Sequence, residues 1–128
     1  MGQDLKHKVL IVEDEAPLRS AISGILSADG FVVIEASNGQ EGLDVALKEH
    51  PDLILLDQMM PVMDGLTMLG KLRADEEWGK SAKVIFLTNI NDLDKVAKET
   101  EGGVPYFLVK SDWNITDIVK KIKERLSV

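Results

Sequence analysis

Five side chains stand at the carboxyl ends of short apolar runs and carry the groups that polar chemistry needs: Glu13 and Asp14 after "KVLIV", Asp57 after "DLILL", Thr88 after "KVIFL" and Lys110 after "YFLV". Taken singly, each has an ordinary explanation. Asp and Thr cap helices and close strands, Glu13 could be solvated surface, and Lys110 a surface charge. Taken together, three carboxylates, a hydroxyl and an ammonium at corresponding strand ends are a constellation. Carboxylates sharing a concavity repel by roughly 4 kcal/mol per pair at ~4 Å and an effective dielectric near 20. A fold keeps such a group only if cations offset it. Lys110 supplies one positive charge, and the remaining excess suits a divalent ion. Oxygen ligands without Cys or His nearby point to Mg²⁺, which retains waters and completes its shell with phosphate oxygens.

The elements that must carry these groups are legible in the apolar pattern. Five β-branched runs, at 8–13, 31–36, 52–57, 83–88 and 106–110, alternate with segments of helical periodicity. Leu18, Ala21, Ile22, Ile25 and Leu26 repeat at helical spacing, as do Ile115, Ile118, Val119, Ile122 and Leu126. Pro17 belongs in the first turn of its helix and Gly30 stops it. Helices are expected over 38–49, 64–74 and about 92–101. The last is the weakest and is expected to be mobile, because only Leu93, Val96 and Ala97 give it an apolar face. Continuously apolar strands in strict β–α alternation predict a parallel sheet covered by helices on both faces. Ligands of such sheets lie beyond the carboxyl ends of the strands, which is where the five polar residues fall.

Composition narrows the function classes. A chain of 128 residues is expected to form one domain, spanning 1–128. The net charge of −7 opposes nucleic-acid binding, which needs Lys and Arg to displace counterions. No apolar stretch is long enough to cross a membrane, and "MGQDLKHK" has no signal-like apolar core. Lys6 stands where a myristoylation motif would have Ser or Thr. Cysteine is absent, so disulfides and thiolate metal sites are excluded, and a reducing cytoplasm is the expected compartment.

The motifs "VEDE" 12–15, "LLDQMMPVMDG" 55–65, "FLT" 86–88 and "YFLVK" 106–110 occur in an order and at a spacing that resemble the receiver domain of two-component response regulators, across essentially the whole chain. The resemblance implies a flavodoxin-like three-layer α/β sandwich with a five-stranded parallel sheet and five helices. It implies that Asp57 accepts a phosphoryl group from a histidine of a sensor kinase or histidine phosphotransfer protein. Glu13 and Asp14 would be the acidic pair for Mg²⁺, joined by Asp57 and the backbone carbonyl of Met59. Thr88 would be the hydroxyl that moves to the phosphoryl oxygen, Lys110 the cation that pairs with it, and Phe107 the aromatic switch. Such a protein catalyses only its own phosphorylation and dephosphorylation. Its docking face would be helix four, strand five and helix five, including Lys95, Tyr106 and Lys120. The chain is either a stand-alone receiver or a domain excised from a longer protein, and the stand-alone reading is the expectation.

The chemistry is coherent without the family name. A carboxylate is a weak nucleophile, so attack on phosphorus needs the metal to neutralise incoming oxygens and Lys110 to absorb charge. The added phosphoryl charge would draw Thr88 and Lys110 inward.

Departures from the family pattern carry expectations of their own. Ser111 replaces the usual proline after the lysine, so the following loop either retains a costly cis bond or takes a trans path that changes the reach of Lys110. Asn89 is bulkier than the small residue usual after Thr88, which biases the switch. Met59 and Ile90, two positions past Asp57 and Thr88, offer nothing to orient water, so a long-lived phosphoaspartate is expected. His7 and His50 are expected far from the acidic edge. Asp64 is an expected N-cap and Gly65 a turn residue; the methionines at 59, 60, 63 and 68 form either a soft docking surface or, as expected here, packing under the active-site loop. The segment 101–106 is a loop with no phosphate-binding fingerprint. Two other readings compete: a receiver-like module that switches by partner binding alone, and a haloacid-dehalogenase-type phosphohydrolase. The latter needs a second Asp where Met59 stands. A flavin-binding domain is disfavoured because "VEDEAP" is acidic where a hydroxyl-rich phosphate loop is needed.

Overall fold

The computed structural model describes residues 6–99 and 106–128. Five strands, β1 (Lys8–Val12), β2 (Val32–Ala36), β3 (Leu53–Asp57), β4 (Val84–Thr88) and β5 (Tyr106–Val109), pair in parallel in the order β2-β1-β3-β4-β5. Five helices connect or follow them: α1 (Ala16–Ala28), α2 (Gly39–Glu49), α3 (Gly65–Arg73), α4 (Leu93–Glu99) and α5 (Ile115–Leu126).

Strands β3 and β4 are buried at every position because both faces of the sheet are covered. Successive side chains enter opposite cores. Leu10, Val12, Ile54, Leu56, Val84 and Phe86 meet Leu43, Ala46, Met68, Leu69, Leu72 and Val96 of α2, α3 and α4. Val9, Ile11, Leu53, Leu55, Ile85 and Leu87 meet Ile22, Leu26, Ile118, Val119 and Ile122 of α1 and α5. The three-layer sandwich expected from the alternation is therefore what forms.

Each expected strand is shorter by one residue at one end. Glu13 and Lys110 fall just past the last paired residue, so their side chains belong to loops, and Lys110 opens a short 3₁₀ turn over Lys110–Asp112. Helix α4 ends at Glu99 within the described residues. Positions 100 and 101 of its expected span lie outside them, as do positions 101–105 of the loop expected over 101–106, whose last residue, Tyr106, belongs to β5.

Caps follow the local sequence. Asn38, Asp64 and Asn114 accept hydrogen bonds from Glu41, Thr67 and Asp117 N–H, starting α2, α3 and α5. Gly30 adopts φ 94 directly after α1, the left-handed stop anticipated for it. Gly65 has a different reason from the expected turn. A β-carbon there would collide with the Asp57 carbonyl oxygen and the Phe86 ring, so α3 can begin against the end of β3 only without a side chain.

Candidate functional site

The parallel register puts the ends of β1, β3, β4 and β5 on one edge, with Val12 beside Leu56, Asp57 beside Leu87, and Thr88 beside Val109. Asp57, the last residue of β3, is 2% exposed and Glu13 is 1% exposed, whereas Asp14 reaches solvent. One carboxylate oxygen from each can gather within 4.8 Å of the others. Lys110, 97 residues after Glu13 in the chain, brings Nζ to 2.9 Å from Glu13 Oε1 and 3.0 Å from Asp57 Oδ1.

This reach is made on a trans path: no peptide bond among the described residues is cis, including the one between Lys110 and Ser111. A third anion, Glu15, lies 3.3 Å from the same ammonium. Its neighbourhood to Asp14 in the sequence was the only signal for it.

Burial sets the electrostatics. Loss of water around Asp57, reinforced by the charges of Glu13 and Asp14 and only partly countered by Lys110, pushes its pKa from 3.8 up to about 7. Burial likewise raises Glu13, against the opposing pull of the Glu15 N–H and Lys110. Desolvation alone would lower the Lys110 pKa, but contacts with Glu13 and Asp57 outweigh it and hold the ammonium above the ordinary lysine range. One lysine thus leaves two buried carboxyls incompletely compensated.

The Asp57 Oδ2 atom is buried with no hydrogen-bond partner among the described residues, an arrangement that is costly unless another cation or donor comes in. The donor set is hard oxygen throughout, with one exposed carboxylate on the solvent side, and it fits a small divalent cation that keeps part of its water shell.

The remaining candidates are arranged around this centre. Thr88 ends β4 fully buried, and its hydroxyl donates to the Asn89 carbonyl at 3.1 Å rather than to Asp57. Asn89 in turn caps the next turn, accepting from Asp92 N–H at 2.9 Å. Of the four methionines expected to pack under the loop, Met60 and Met63 pack on the core and Met68 is within it, whereas Met59 departs from the expectation and stands in the loop after β3 with 58% of its surface exposed. Phe107 is half-buried beside Phe86 in the sheet register, against the core on the α4 side.

The histidines are elsewhere. His50 caps the end of α2 and stacks on Trp78 at 4.6 Å, and His7 precedes β1 near Phe31, both at the opposite edge of the sheet. Lys95 and Lys120 are exposed, and the side chain of Tyr106 lies outside the described residues.

Three residues escaped the sequence reading. Gln58 is 3% exposed, and its side-chain oxygen accepts from Leu66 N–H at 2.8 Å, tying the residue after Asp57 to the start of α3. A polar residue in so apolar a run was its one clue. Arg19 donates to the Glu13 carbonyl at 2.7 Å and Glu15 joins Lys110, neither of which spacing could reveal.

Comparison with known proteins gives concordant similarities. The family model described as Response regulator receiver domain matches residues 9–123. Sporulation initiation phosphotransferase F of Bacillus subtilis is 34% identical over 119 residues, covering 91% of this chain and 94% of that protein. The probable transcriptional regulator ycf27 of Porphyridium aerugineum is 35% identical over 105 residues, 82% of this chain but only 42% of its own length. Among solved structures, the response regulator protein TrrA of Thermotoga maritima, in complex with Mg(2+)-BeF, superimposes with a TM-score of 0.78 at 28% identity. That match covers 93% of this chain and 98% of that one.

Proposed function

This chain belongs to the response regulator receiver domain family, and from that premise we propose that Asp57 is its phosphoacceptor in a two-component or phosphorelay system. The observation that carries the proposal is the buried Asp57 carboxylate, with one oxygen at 3.0 Å from Lys110 Nζ and the other without a partner among the described residues. In the proposed reaction an Asp57 oxygen bonds to phosphorus, the P–N bond of a phosphohistidine breaks, and its electron pair returns to the imidazole. Lys110 remains beside the acceptor and counters the charge that accumulates on the phosphoryl oxygens.

Glu13, Asp14 and Asp57, with the Met59 carbonyl, would hold Mg²⁺. When bound, this ion supplies charge neutralisation to the incoming oxygens and favours the ionised, nucleophilic form of Asp57. Release of the Thr88 hydroxyl from the Asn89 carbonyl toward the new phosphoryl group would start the switch, with Phe107 as the side chain that responds. The partners would be a histidine kinase or histidine phosphotransfer protein, and then a protein docking on α4, β5 and α5.

We read residues 1–128 as a single receiver domain that catalyses only its own phosphorylation and dephosphorylation, in the cytoplasm. No helix among the described residues is long and apolar enough to cross a membrane. Intact-protein mass spectrometry after incubation with acetyl phosphate and Mg²⁺ tests this reading. One phosphoryl addition is expected that requires the metal and vanishes in Asp57→Asn. No addition in the wild type would favour the phosphate-independent module instead.

A further inference from the structure

Arg19, in the first turn of α1, reaches across to the loop that carries the acidic pair. Its Nη1 donates to the backbone carbonyl of Glu13 at 2.7 Å, while its Nε donates to Glu35 Oε1 on β2 at 3.1 Å. Ser23 Oγ donates to the other Glu35 oxygen at 3.3 Å, and Glu13 N–H donates to the Ala36 carbonyl at 3.0 Å. The Arg19 side chain is 19% exposed. A helix, the end of β1 and the end of β2 are thus tied through one planar fork, whose geometry restricts the acceptors it can serve together.

The consequence falls on Asp14. The Glu13 carbonyl and the Asp14 N–H belong to one rigid peptide plane, so fixing the carbonyl fixes the direction in which the chain leaves for Asp14. Asp14 is exposed, so packing does not orient its side chain. Resting on the reading of Glu13, Asp14 and Asp57 as a Mg²⁺ site, we infer that Arg19 is a positioning residue for that site. It locks the 13–14 peptide so that the Asp14 carboxylate faces Asp57. Glu35 is the counter-ion that holds the guanidinium in place.

Simple charge predicts the opposite sign, which makes the inference sharp. Removing a cation beside carboxylates should tighten Mg²⁺ binding, whereas releasing the peptide should weaken it. The test is calorimetric titration of the metal-free protein with MgCl₂, well below its melting transition. The wild type is compared with Arg19→Met and Arg19→Lys, each checked for wild-type circular dichroism. Arg19→Met is expected to bind about tenfold more weakly, the scale of losing a group that orients a metal ligand. Arg19→Lys, whose ammonium can still reach the Glu13 carbonyl, is expected to recover most of that loss.

Unchanged or tighter binding by Arg19→Met would overturn the inference, as would a lysine variant no better than the methionine one. Should Arg19→Met not fold, Arg19→Gln, two atoms short of the carbonyl, takes its place with the same two readings. Absence of Mg²⁺ binding by the wild type would instead refute the metal reading itself, so the two failures are told apart.

Discussion

Asp57→Asn should stabilise the metal-free protein, and by an amount that grows with pH. Asparagine stands in for the protonated carboxyl, so the substitution removes the cost of ionising a 2%-exposed group that Lys110 only partly compensates. Burial raises the folded-state pKa from 3.8 to about 7. Between these values the native protein therefore holds a proton that the unfolded chain has released. Wild-type stability falls as pH rises through that window and levels off above the folded value. Integrating the linkage gives a loss of about 2 kcal/mol by about pH 5 and about 4 kcal/mol by about pH 8, at 1.36 kcal/mol per pKa unit.

Urea unfolding in EDTA at those two pH values should show the variant's advantage roughly doubling. Adding Mg²⁺ should then narrow the gap, because the ion binds the folded wild type and adds stability by mass action, about 1.4 kcal/mol at ten times its dissociation constant. An advantage that does not change with pH, or a variant less stable than wild type near pH 8 without metal, would show that Asp57 is not held in the uncompensated state described.

Three further outcomes are expected. Val62, β-branched, 82% exposed and at φ 68 in the loop after β3, sits in a conformation that suits glycine. Val62→Gly should therefore raise the unfolding free energy by about 1 kcal/mol after the entropic cost of glycine, and a loss of stability in urea titration would refute the strain. Gly65→Ala should destabilise by about 1–3 kcal/mol, since its β-carbon would press on the Asp57 carbonyl and the Phe86 ring, and unchanged thermal unfolding would contradict that contact. Phosphorylated protein, followed by mass spectrometry at neutral pH after removal of the phosphodonor, should retain its phosphoryl group for well beyond seconds, because Met59 offers no carboxylate or amide to orient water.

Pattern alone determined the architecture. Strands β3 and β4 read as unbroken apolar runs because helices cover both faces, and the helix faces of α1 and α5 read at helical spacing because each has one side against the sheet. Parallel strands align their carboxyl ends, so Glu13, Asp14, Asp57, Thr88 and Lys110 could be assigned to one edge before any coordinate was known.

What the tertiary structure decided are the contacts that depend on side-chain reach rather than on register. Lys110 reaches Glu13, Asp57 and Glu15 together across a trans peptide to Ser111. The Thr88 hydroxyl turns to its own neighbour's carbonyl, and Arg19 grips the Glu13 carbonyl from a helix. The reason is physical. Periodicity reports which face of an element is dry, a property of every turn and every second residue. A long side chain on a loop has several acceptors within reach, and only the packed positions of distant segments select among them.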